Sequence, residues 1–273
     1  MTASSFEAEV SRSPIDLARA ALAFAREIAY PDLDVAIHLA QLDQLAASIG
    51  INVAPFRTPW TQAKALAETL FQQIGFQGNR QNYSDPRNSY LNEVLTHRLG
   101  IPISLSVVFI AIANRLEIPA EGVGLPGHFI VKVPAEDGLG FIDPFHAGRR
   151  LTLEDCARLV EQTVGYSGPL QEEWLQAVPA RTILTRMLNN LRGIYFQERA
   201  WPLAQATVER LQILQPDLVE LQRDLGVIHH RSGSLRLASQ YYERYLQSSP
   251  NAPDAETIRV YMNAAVRRLA RLN

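Results

Sequence analysis

Val107-Val108-Phe109-Ile110-Ala111-Ile112-Ala113 is apolar at every position. As a helix, such a run covers almost two turns and has no polar face. It is stable only with protein on all sides, so the rest of the domain must be built around it. It is also far short of the roughly 20 residues that a membrane span needs. The letters before it set its start. In Gly100-Ile101-Pro102-Ile103-Ser104-Leu105-Ser106 the glycine stops whatever precedes, Pro102 suits a first helical turn, and Ser104 and Ser106 fall in the opening turns. Arg115 and Glu117 mark the far end, and Pro119 bars continuation.

Upstream, residues 1–13 are polar and are expected to be loose. Ser13 and Pro14 then read as N-cap and first residue of a helix carrying Leu17, Ala21, Phe24, Ala25 and Ile28 on one face. Tyr30-Pro31 ends it. A second helix is expected from about Asp32 to Ser48, with Ile37 on its apolar side and Gly50 closing it. A third spans about Trp60 to Gln73 and stops at Gly75. These three form an N-terminal bundle over 14–75. Phe76 to Ser89 is a loop rich in Gly, Asn, Asp and Ser. Asn88 or Ser89 is placed to cap the short helix that runs to Arg98.

Downstream the period changes from helix to strand. Glu121 to Gly124, Gly127 to Val133 and Gly140 to Pro144 read as short strands, the last two an antiparallel hairpin with a longish connection over 134–140. Arg149 to Leu151 adds a third pairing, and Thr152-Leu153-Glu154-Asp155 opens a helix with a capping box. Gly168, Pro169 and Pro179 mark a boundary. Beyond it the text aligns with itself at a shift of 34: Leu191 with Leu225, Leu203 with Leu237, Ala204 with Ala238, and Pro216 with Pro250. That period, with small residues where helices cross and a closing proline, resembles the tetratricopeptide repeat. Domains are therefore expected over 14–75, 76–168 and 181–273.

Three side chains stand out. His128 follows Pro126-Gly127 and opens a strand, and Asp143 closes the next. Across a hairpin, an aspartate so placed can accept from the imidazole and fix its tautomer. Ser104 lies at the start of the buried helix, where a neighbouring His could activate it, with Ser106 as a second choice. A serine there also serves as a cap for backbone N–H groups. The polar stretch Asp85-Pro86-Arg87-Asn88-Ser89 through Asn92 is a candidate pocket wall: Arg87 for a carboxylate, Asn88 or Asn92 as amide donors. An Arg87–Asp85 pair with two helix caps explains the same letters. His146 would join His128 in a metal site only with a third ligand, and none is evident in sequence, so neither metal nor cofactor is expected. Cys156 lies after His128 and Asp143, near the start of a separate helix, and reads as a buried structural residue. As the lone cysteine it excludes an internal disulfide and a multi-cysteine metal site.

Tyr-x-Asp-Pro-Arg-Asn-Ser-x-Leu-Asn from Tyr83, Gly-Ile-Pro-Ile-Ser-Leu-Ser from Gly100, Pro-Gly-His-Phe from Pro126 and Phe-Ile-Asp-Pro-Phe from Phe141, ahead of repeat-like helices, resemble the bacterial SirB-one-type family of the transglutaminase-like (papain-like) superfamily. The resemblance implies an α+β, mostly helical fold: a central buried helix plus a small antiparallel sheet, flanked by an N-terminal bundle and tetratricopeptide-like helices. It also implies a nucleophile–His–Asp order in which the usual Cys is replaced, leaving Ser104, His128 and Asp143 at the matching positions. Two functions follow. One is a catalytically inactive or non-canonical interaction or regulatory protein, lacking the nucleophilic Cys, with a protein or peptide partner. The other is a serine-dependent hydrolase or acyltransferase acting on a peptide or amide. With 26 basic and 28 acidic residues the net charge is -2, which gives no case for nucleic acid or an anionic membrane. The N-terminus lacks a signal-peptide pattern, so the cytoplasm is the expected compartment.

Overall fold

The computed structural model describes residues 4–136 and 138–270. The chain divides between Met187 and Leu188 into two compact units.

In the first unit five α-helices precede the central one: α1 (Phe6–Val10), α2 (Leu17–Ile28), α3 (Val35–Val53), α4 (Pro59–Ala67) and α5 (Leu91–His97). A π-helical turn, Glu68–Gln73, extends α4, and a 3-10 turn, Pro86–Ser89, precedes α5. Two short strands, β1 (Gln77–Gly78) and β2 (Leu99–Gly100), pair in parallel and bracket this segment. The central helix α6 (Pro102–Arg115) is buried at every residue from Pro102 to Ala113. It touches α2, α3, α4 and α5, with Phe109 stacked on Phe71 at 6.2 Å between ring centroids. Each fully buried Val, Ile or Phe on it contributes roughly 1.5–3 kcal/mol of transfer free energy. The other side of α6 meets a four-stranded antiparallel sheet in the order β3 (Glu121–Val123), β4 (Ile130–Ala135), β5 (Gly138–Asp143), β6 (Arg149–Leu151). Helix α7 (Leu153–Val164) follows; the expected capping box is formed by Thr152 and Asp155.

Several expectations are corrected. The N-terminal segment contains α1, capped by Ser5, and Phe6 is buried edge-on against Phe24. One aromatic and Val10, four residues apart, suffice to hold a single turn against the core. α2 begins at Leu17 under an Asp16 cap rather than at Pro14. α3 runs through Gly50 to Val53, because a Cβ at position 50 would lie only 3.2 Å from Leu116 and the glycine serves packing. Ile37 is 64% exposed and not on the buried face. α5 has Tyr90 as N-cap and no side-chain cap bond, so neither Asn88 nor Ser89 has that role. The β4–β5 connection is short, since Ala135 pairs with Gly138. Pro134 belongs to β4: the pairing with β3 ends at Lys132, so beyond it the proline removes no ladder hydrogen bond on that side.

After α8 (Ala180–Glu198), the second unit continues through α9 (Trp201–Leu214), α10 (Glu220–Arg231), α11 (Leu235–Ser248) and α12 (Ala255–Ala270). α9 and α11 have bounds displaced by 34, the period read from the letters. Ala204 and Ala238 are fully buried. Gly226 lies flush with the Tyr242 ring, where a Cβ would approach to 2.5 Å.

Candidate functional site

The hairpin places the His and the Asp. Val131 pairs with Ile142, so Asp143 falls opposite the start of β4 and His128 just beyond it. His128 Nε2 lies 3.0 Å from Asp143 Oδ2, both side chains being buried. A 3-10 turn, Pro144–His146, follows at once, and Asp143 caps it: Oδ1 accepts from the backbone N–H groups of Phe145 (3.0 Å) and His146 (3.3 Å). The same turn brings His146 Nδ1 to 2.6 Å from Oδ2. Burial opposes the charge on Asp143, but the hydrogen bonds and positive character of His128 and His146 outweigh it and hold the carboxyl well below the usual range. The sequence reading missed His146 as a partner of Asp143. The available signal was the Asp-Pro-x-His spacing, since an aspartate N-cap leaves the residue three positions on beside its carboxylate. Asp143 is also the third donor that the sequence did not show for a set with His128 and His146.

The serines point elsewhere. α6 packs against the 144–146 turn, so the helix does reach this region. Yet Ser104 Oγ donates to the Asn88 carbonyl at 2.6 Å and accepts from the Ile101 N–H at 3.1 Å. Gly100 permits this, because a Cβ there would lie 2.8 Å from that Oγ. Ser106 Oγ donates to the Pro102 carbonyl one turn back, at 2.8 Å. Neither hydroxyl is hydrogen-bonded to His128. Cys156 is fully buried, and burial first, then the charges of Asp155 and Asp143, push its thiol up to about 12. It is no nucleophile at neutral pH.

The Asp85–Asn92 stretch is mostly self-satisfied. Arg87 is spent on Asp85, with Nη2 2.6 Å from Oδ2, and Asp85 also caps the 3-10 turn through the Arg87 N–H. Asn88 Nδ2 donates to the carbonyls of Asn82 and Tyr83, and its Oδ1 accepts from Asn79. Asp85, Arg87 and Asn88 line a small cavity of about 190 Å³ with Glu93 and His97. Asn92 and Ser106 are buried away from it, and Ser89 Oγ and Asn92 Oδ1 have no hydrogen-bond partner. A larger cavity of about 540 Å³, lined by Gly78, Asn79, Arg80, Phe145 and His146, reaches the His–Asp–His cluster through His146 alone. Another of about 550 Å³, walled by Pro14, Ala111, Arg115 and Val178, holds none of the candidate residues.

A buried helix carrying the residue expected to react, beside a small antiparallel sheet carrying a His–Asp pair, defines a transglutaminase-like core, here followed by repeat helices. Comparison with known proteins agrees. Residues 37–189 match a family described as the transglutaminase-like superfamily, and residues 191–263 match a tetratricopeptide repeat family. The chain belongs to the transglutaminase-like superfamily. It is 36% identical over 262 residues to a UPF0162 protein of Xylella fastidiosa, covering 93% of this chain and 92% of that one. A UPF0162 protein of Pseudomonas aeruginosa is 34% identical over 186 residues, 68% of this chain and 67% of its own. F-box only protein 21 of Homo sapiens is 30% identical over 168 residues, 58% of this chain but 26% of that protein.

Proposed function

We propose that this chain is a transglutaminase-like protein without the nucleophilic Cys that acts through interaction rather than acyl transfer, with a protein or peptide as partner, in the cytoplasm. The observation that carries the reading is the Ser104 hydroxyl, bonded to the Asn88 carbonyl and the Ile101 N–H instead of to His128. A hydroxyl ionises far less readily than a thiol and needs a base in contact. Here the base is turned to a carboxylate, and Ser104 has a structural task. Helical repeats of the tetratricopeptide kind commonly bind protein segments along their stacked helices, which supports the interaction half. No described helix is long and apolar enough to cross a membrane.

The alternative, a serine hydrolase using Ser104, His128 and Asp143, keeps the His–Asp pair in its favour. Turnover of activated ester and amide substrates by the full chain and by Ser104→Ala separates the two. Equal background rates are expected; turnover that disappears in Ser104→Ala overturns the proposal.

A further inference from the structure

With Ser104 and Ser106 both bonded to backbone carbonyls, the His128–Asp143–His146 cluster has a geometry suited to a different occupant. His128 Nε2, Asp143 Oδ2 and His146 Nδ1 lie within 4.8 Å of one another. Both imidazoles aim at the same oxygen, at 3.0 and 2.6 Å. The other oxygen, Oδ1, is held by two backbone N–H groups. That division fixes the carboxylate and directs one oxygen into the cluster, as the outer hydrogen bonds of a ligating carboxylate do. Around a first-row divalent ion with bonds of about 2.1 Å, tetrahedral ligand atoms stand roughly 3.4 Å apart. The two contacts at Oδ2 fall short of that by roughly 0.4 and 0.8 Å, a difference that small side-chain rotations supply.

We propose that His128, Asp143 and His146 bind one first-row divalent cation, with water completing the coordination from the side of the 540 Å³ cavity. Two imidazoles and one carboxylate suit zinc and its neighbours, whereas magnesium and calcium favour all-oxygen sets. The His146 side chain is 34% exposed and lines that cavity, which gives the ion an entry. Each imidazole binds as the neutral ring, its proton on the nitrogen remote from the ion, and Asp143 supplies one negative charge. Without an ion, the same three side chains form a plain His–Asp–His hydrogen-bond array, and the experiment separates the two.

The untagged full chain, stripped with a chelator, is titrated with zinc by calorimetry and with cobalt by visible absorption. One ion per chain is expected, with cobalt bands of a low-coordinate site. His146→Ala alters a partly exposed side chain and is expected to weaken zinc binding at least about tenfold, with far-ultraviolet circular dichroism unchanged. His128→Gln serves as a second variant with the same expectation. Absence of stoichiometric zinc binding to the wild type, or wild-type affinity in both variants, overturns the site in favour of the hydrogen-bond array.

Discussion

The Ser104 hydroxyl donates to the Asn88 carbonyl across 2.6 Å and so ties the first turn of α6 to the 3-10 turn sixteen residues earlier. Both partners are buried, and Ser104 also takes the Ile101 N–H. Ser104→Ala leaves a buried carbonyl and a buried N–H without these bonds, at a cost of about 1–3 kcal/mol. Urea unfolding followed by circular dichroism measures it. A variant as stable as the wild type would show that the hydroxyl is free for other work.

Within the polar stretch, burial separates residues that look alike in sequence. Asn88 is buried and makes three side-chain hydrogen bonds, whereas the Arg87 side chain is mostly in water. Asn88→Ala is expected to destabilise the first unit by about 2–3 kcal/mol. Arg87→Ala is expected to cost less, because its guanidinium is mostly in water, where an ion pair contributes little, and Asp85 keeps its bond from the backbone N–H of residue 87. Thermal unfolding of both variants checks the order, and a larger loss in Arg87→Ala would contradict it.

Asp143 has its folded pKa depressed below the unfolded value by its two histidine partners, against its burial. A carboxyl of that kind contributes stability above the unfolded pKa of about 4 and loses it as pH falls from there toward the folded value. Unfolding free energy should therefore drop more steeply as pH falls below about 4 in the wild type than in Asp143→Asn. Parallel pH profiles for the two proteins would contradict the assignment.

Cys156 is predicted to be inert. Burial and the nearby carboxylates push its thiol up to about 12, so almost no thiolate exists near neutrality. Iodoacetamide should leave the native chain unmodified and alkylate it fully in guanidinium. Rapid alkylation of the native chain would reopen the cysteine as a reactive group.

The features legible in the letters are those set by periodicity. The all-apolar run from Val107 could only be a buried helix, and the shift of 34 reappears in the bounds of α9 and α11. The His128–Asp143 approach was legible too, because a hairpin fixes which ends meet. What the letters could not show is where a hydroxyl points. A serine in the first turn of a helix serves equally as cap or as nucleophile, and the choice rests on the Asn88 carbonyl arriving from sixteen residues away. His146 was underread for the same kind of reason, since its approach to Asp143 depends on the 3-10 turn that the aspartate itself caps. Pro134 looked like a turn because its tolerance in β4 depends on how short β3 is.

The most direct test of the central claim is mass-spectrometric mapping after treatment of the native full chain with a fluorophosphonate, alongside His128→Ala and Ser104→Ala. Because the Ser104 hydroxyl is bonded to backbone and not to His128, no adduct on Ser104 is predicted in the wild type or in His128→Ala, and Ser104→Ala should give the same adduct map as the wild type. An adduct on Ser104 of the wild type that is lost in His128→Ala would contradict the account and identify a working serine–histidine pair.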